Sequence, residues 1–153
     1  MLKKITLLLF TAFTLLACSL LSPYGKKVTI NSTLEIYIKG DSTTEEDAKQ
    51  LGNYLAETWK DLDNKKSFQL IKESGTYIVK MVVDEEKVKN DKTLDISFMA
   101  LRMLIAENAF KGSPVKLILT NNKFKAIKTY DDKFANDADK DESTKPADSS
   151  STK

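Results

Sequence analysis

"VTINSTLEIYIKG", residues 28–40, is the stretch on which the fold turns. Val28, Ile30, Leu34, Ile36 and Ile38 occupy even positions, and Thr29, Asn31, Thr33, Glu35 and Lys39 odd ones. Period two over this length is the pattern of a strand with one buried face. Residues 28–39 are therefore expected to form a single strand, ended by Gly40-Asp41-Ser42. Immediately after it, Thr43 and Glu46 stand at capping-box spacing, so that hydroxyl and carboxylate can each satisfy a backbone N–H of the other. Ala48, Leu51, Leu55, Trp59 and Leu62 then fall on one helical stripe. Glu45, Lys49, Asn53, Glu57 and Lys60 lie opposite. This is an amphipathic helix that lies on a sheet.

The pattern continues to residue 130. Residues 63–66 read as a polar turn. Residues 68–72 and 76–83 read as strands joined in a hairpin at Ser74-Gly75. Residues 84–91 form a charged loop, and residues 94–110 a second helix stopped by Gly112 and Pro114. Residues 115–120 and 124–129 are strands joined across Asn121-Asn122, residues that tolerate the positive φ of tight hairpins. The order is β-α-β-β-α-β-β, and its first six elements match the ferredoxin-like split βαβ pattern. The expectation is an α+β sandwich with two helices on one face of an antiparallel sheet. No repeat of fixed period is visible.

The ends differ in kind from the domain, residues 28–130. Met1-Leu2-Lys3-Lys4 is basic, and residues 5–16 are apolar apart from Thr6, Thr11 and Thr14. A helix of that length covers roughly 18 Å, too short for a bilayer core of about 30 Å. A basic start and a short apolar run describe a secretory signal, residues 1–17. Leu15-Leu16-Ala17-Cys18 then resembles the lipobox of bacterial lipoproteins, although Leu16 is larger than that pattern's usual second residue. The resemblance implies a diacylglycerol thioether on Cys18, cleavage before it, and acylation of the new α-amine by a fatty acid such as palmitate. The other reading is an ordinary signal with a stray thiol at Cys18. Acylation also accounts for the lone cysteine, which has no internal disulfide partner. Residues 18–27 become a tether. Residues 131–153 have almost no apolar content and are expected to stay disordered.

Loss of residues 1–17 removes Lys3 and Lys4, leaving 22 of the 24 basic residues against 22 acidic ones. A balanced chain offers no basic stripe for nucleic acid. With no histidine, and its one cysteine used as an anchor, the mature domain has no imidazole or thiol chemistry. Neither a nucleophile elbow nor a phosphate-binding glycine motif is present. Asp84-Glu85-Glu86 reads as a solvated turn. Asp137, Asp139, Asp141 and Asp148 mimic a calcium loop, but Glu142 stands where the loop needs glycine. The sequon Asn31-Ser32-Thr33 reads as chance. No catalytic residue, metal site or cofactor is expected.

The second helix carries more apolar residues than one face needs. Phe98, Met99, Arg102, Met103, Ala106 and Phe110 are the candidate interaction surface, for a protein partner or a second copy. The competing reading is that neighbouring elements bury them. Thr44, Glu46, Ala48, Leu51, Gly52, Tyr54 and Leu55 form a "T-x-E-x-A-x-x-L-G-x-Y-L" helix opening. Gly112, Pro114, Val115 and Leu117 form a "G-x-P-V-x-L" strand entry. In these motifs residues 44–128 resemble small envelope domains of Bacteroidetes-type bacteria, which implies one domain and no particular mechanism. The expected protein is a lipid-anchored lipoprotein of the bacterial cell envelope, on its periplasmic or surface face, acting as a non-enzymatic interaction module. A binding domain for a small ligand or envelope polymer is the alternative, and an enzyme working without histidine or cysteine the third.

Overall fold

A computed structural model describes residues 22–60 and 64–131. Residues 28–39 do not form one strand. They form a hairpin of β1 (Lys26–Thr29) and β2 (Leu34–Lys39), with Val28 opposite Ile36. The Asn31 carboxamide oxygen accepts from the Thr33 N–H at 2.9 Å and tightens the reversal. The turn keeps every even residue on one face, so the apolar alternation runs through it unbroken except at Ser32, which sits in the turn. The sequon therefore lies at an exposed turn rather than on a buried strand.

Helix α1 (Glu45–Thr58) follows, capped one residue later than its sequence suggests. Thr44, in extended backbone, accepts from the Asp47 N–H at 3.1 Å, and the Asp47 carboxylate accepts from the Thr44 N–H at 2.9 Å. Thr43 instead donates to the Lys39 carbonyl and accepts from the Lys72 N–H, tying the loop to the sheet. Ala48, Leu51 and Leu55 are fully buried, and Trp59 stacks on Phe68. Leu62 lies outside the described residues.

Strands β3 (Lys66–Glu73) and β4 (Thr76–Val82) form the expected hairpin, with positive φ at Ser74 and Gly75. The charged stretch beyond it contains a short helix, α2 (Glu85–Asn90). Asp84 caps it by accepting from the Glu86 and Lys87 N–H groups. Val88 is its only buried residue, so no apolar period marks it in the sequence. Helix α3 (Leu94–Asn108) is followed by Lys111 and Gly112 at positive φ, where the Gly112 N–H reaches back to the Ala106 carbonyl and stops the helix. Strands β5 (Val115–Thr120) and β6 (Ala126–Tyr130) complete the domain.

The class is α+β, but the sheet is mixed rather than antiparallel. Its order is β1-β2-β3-β4-β5-β6, with β2·β3 and β4·β5 parallel. The ferredoxin-like expectation fails here: a split βαβ unit leaves a gap between its two strands, whereas α1 connects immediate neighbours. The helices share one face as expected. Tyr77 of β4 bonds Asp47 of α1 and stacks on Phe110 beyond α3, and Phe98 of α3 packs on Tyr130 of β6. Strands β2 and β4 run in opposite directions, and both crossovers step the same way along the sheet. Lying on one face, they must have opposite hands, so one departs from the strong right-handed rule.

Candidate functional site

The face of the sheet opposite the helices is built by odd-numbered residues of β2 and β3 and even-numbered residues of β4 and β5. One row runs Lys39, Ile71, Ile78 and Lys116, and the next runs Tyr37, Gln69, Lys80, Ile118 and Thr129. Glu35 and Ser67 form a third with Val82 and Thr120 beyond them. Ile71, Ile78, Val82 and Ile118 are half-buried yet belong to no part of the core cluster.

One end of this back face is covered from both sides. The chain enters through a turn in which the Gly25 N–H bonds the Ser22 carbonyl. Gly25 has φ +99°, and a Cβ there would lie 2.1 Å from the Ile38 carbonyl oxygen, so only glycine passes this close to β2. The Tyr24 carbonyl accepts from Gln69 Nε2 at 2.8 Å. From the other side the β5–β6 loop bends across the sheet, with Phe124 at φ +56°. The expected strand at 124–129 therefore begins only at Ala126. Phe124 meets Tyr24 and Tyr37 edge-on, with centroids 5.5 and 5.8 Å away.

Beside this aromatic cluster Glu35 is only 6% exposed. Its carboxylate pairs with Lys27 and with Lys65 at 2.8 Å, and accepts from Ser67 Oγ at 3.0 Å and Tyr37 Oη at 3.1 Å. Burial alone would raise its pKa; these four donors outweigh burial and hold it at about 2. Glu35 stays ionised and acts as a counter-ion that organises its lysines. Asp47 is also held low against burial, by Thr44, Tyr77 and Lys72, and its oxygens are committed to the α1 cap and to Tyr77 Oη at 2.8 Å. Asp95 is likewise held low by Lys128 and Tyr130, which ties α3 to β6. Among the described residues no group of three or more acidic or cysteine side chains is placed to hold a metal ion.

The other end of the back face is open. A shallow groove of about 400 Å³ runs beside Ile78 and Lys116, edged by Glu73, Thr76, Pro114 and Asp131. Asp131 lies 3.7 Å from Lys116.

Helix α3 supplies the second exposed apolar surface, though not the one its sequence suggests. Of the six candidates only Met103 is exposed. Phe110 is 4% exposed with its ring stacked 3.7 Å from that of Tyr77. Phe98, Met99, Arg102 and Ala106 are half-buried, and Arg102 donates to the Val115 carbonyl. The outward stripe is instead Ile96, Ala100, Met103 and Leu104, with Ile96 78% exposed. The six candidates span most of the helix, whereas this stripe follows one face at i, i+4, i+7 and i+8. Cys18, the signal and the residues of the calcium-loop mimic lie outside the described residues.

The back-face isoleucines did carry a sequence signal. Leu70-Ile71, Ile78-Val79 and Leu117-Ile118-Leu119 are apolar at successive positions, the mark of strands covered on both faces.

Among the described residues no helix is long and apolar enough to cross a membrane. No curated protein and no solved structure is significantly similar to the chain. Residues 27–132 match the model of a family N-terminal domain, AF_1994_N. The chain belongs to that family, which has no assigned activity.

Proposed function

We propose that this member of the AF_1994_N family is an envelope lipoprotein, anchored through Cys18, whose domain is a non-enzymatic module that presents α3 to a protein partner. The observation that carries the reading is the outward stripe of Ile96, Ala100, Met103 and Leu104 on a helix whose other side already fills the core. A helix on one sheet face needs one apolar stripe, and a second facing solvent marks contact with something else. The anchor is supported by the basic start, the short apolar run and Leu15-Leu16-Ala17-Cys18.

Two measurements test the reading. Cys18→Ala should abolish acyl labelling and move the protein out of the membrane fraction; unchanged labelling would refute the anchor. Met103→Glu and Leu104→Glu should leave the fold intact and remove the dimer, or the partner recovered by crosslinking in cells. If both variants fold and all associations persist, α3 is not the contact. Retention of a small molecule by the purified monomer would favour the binding-domain reading.

A further inference from the structure

We propose that the back face of the sheet lies against the lipid surface that holds the anchor, so that α3 points away from the membrane. This rests on the anchoring of Cys18 proposed above.

The first argument is reach. The described chain begins at Ser22, which the turn to Gly25 keeps within about 7 Å of that residue. Gly25 is wedged against the Ile38 backbone and the Lys39 Cβ, and Tyr24 lies over Tyr37 and Gln69. The N-terminal segment thus leaves along the back of β2. Cys18 is four residues earlier, so even a fully extended chain spans at most about 14 Å. The outward stripe of α3 is on the opposite side, beyond the sheet and a helix layer about 10–12 Å thick. An anchor on so short a tether cannot bring that stripe and the bilayer together without turning the domain away from its own entry point.

The second argument is chemistry. Ile71, Ile78, Val82 and Ile118 are half-buried and lie outside the core cluster, with the Tyr24 and Phe124 cover closing one end of their face. Lys39, Lys80 and Lys116 stand among them. With Lys27 and Lys65, the face carries five lysines against Glu35, Glu73 and Asp131, in a domain of otherwise balanced charge. Tyr24 and Tyr37 add amphipathic rings of the kind that favour headgroup depth. Apolar side chains interleaved with lysines fit an anionic bilayer surface.

Lysine acetylation by a water-soluble ester, read by mass spectrometry, tests the orientation without altering the domain. The lipid-anchored protein is placed in vesicles of phosphatidylcholine and phosphatidylglycerol at seven to three, and compared with the same chain released from lipid. Lys39, Lys80 and Lys116 should be modified at least about fivefold more slowly when anchored, and Lys49, Lys60 and Lys92 at unchanged rates. Equal rates at all six, or slowing at Lys49 and Lys92 instead, would overturn the proposal. Slowing at the back face that comes with protein concentration alone, with no further change on anchoring, would assign the face to a second copy and overturn it as well. Coupling Cys18 to a maleimide lipid in the same vesicles repeats the measurement with the anchor imposed. If cells leave Cys18 unacylated, the lipoprotein reading fails, while this arm still reports which face the tether presents.

Discussion

The two faces of the sheet are built from the same strands and differ in what covers them. On the helix face Ile36, Phe68, Leu70, Val79, Leu117 and Leu119 are fully buried beneath α1 and α3. On the back face Ile71, Ile78 and Ile118, one residue away in the chain, remain half-open, interleaved with lysines and closed at one end only by Tyr24, Tyr37 and Phe124. Hydrophobic side chains alone do not distinguish a core from a contact surface; the covering layer does. Substitutions on the two faces should separate stability from association.

The largest effect belongs to the helix face. Phe68→Ala removes a fully buried ring that also stacks on Trp59, and should cost about 3–5 kcal/mol in urea unfolding. An equal loss from Ile118→Thr would show that the back face is core as well.

Gly52 should come next. A Cβ there would stand 2.4 Å from Ile30 Cδ1 and Cγ1, where α1 crosses the end of β1. Gly52→Ala should cost about 1–3 kcal/mol through overpacking. Combined with Ile30→Ala it should cost less than the sum of the two single changes. Additivity would mean that α1 shifts freely at this crossing.

A smaller effect is tied to pH. The folded pKa of Glu35, about 2, lies below its ordinary 4.5. Its contribution is therefore fully present above pH 4.5 and is lost as pH falls from 4.5 through 2. Glu35→Gln should cost about 1–2 kcal/mol at neutral pH, with the exposure of Lys27 and Lys65 limiting the loss. It should also flatten the acid limb of the stability profile over that window. An unchanged acid limb would move the acid sensitivity to Asp47 and Asp95.

The smallest stability effect should come from Met103→Lys, within about 0.5 kcal/mol, because the side chain is 58% exposed. A loss above 2 kcal/mol would place Met103 in the core and withdraw α3 as a contact.

Where local chemistry decides the structure, the sequence was legible. Ser74-Gly75 demands a tight hairpin, and Ala48, Leu51 and Leu55 can share a side only on a helix. Gly112 marks the end of α3 because the backbone there turns to positive φ. The α+β class follows from such elements taken together. Short-range competition explains the near misses. Two threonines compete to cap α1, and Thr44 wins because Asp47 reaches its N–H while Thr43 is drawn to Lys39 and Lys72. Helix α2 has only Val88 to bury, and so leaves no period to read.

Tertiary structure decided the rest. A hairpin and a straight strand give residues 28–39 the same alternation, because an antiparallel reversal at Ser32 preserves the parity of every side chain. Whether β2 pairs parallel with β3, and on which side each crossover passes, depends on contacts between residues far apart in the chain. No local pattern encodes their direction or hand. The same holds for α3. Its apolar residues nearly encircle it, and only the placement of Tyr77, Val115 and Tyr130 buries Phe110 and Ile105 while leaving Ile96 and Met103 in water. Sequence fixes what each segment must bury; the partner that buries it is set by packing across the whole chain, because burial is a property of two surfaces and a sequence window contains one.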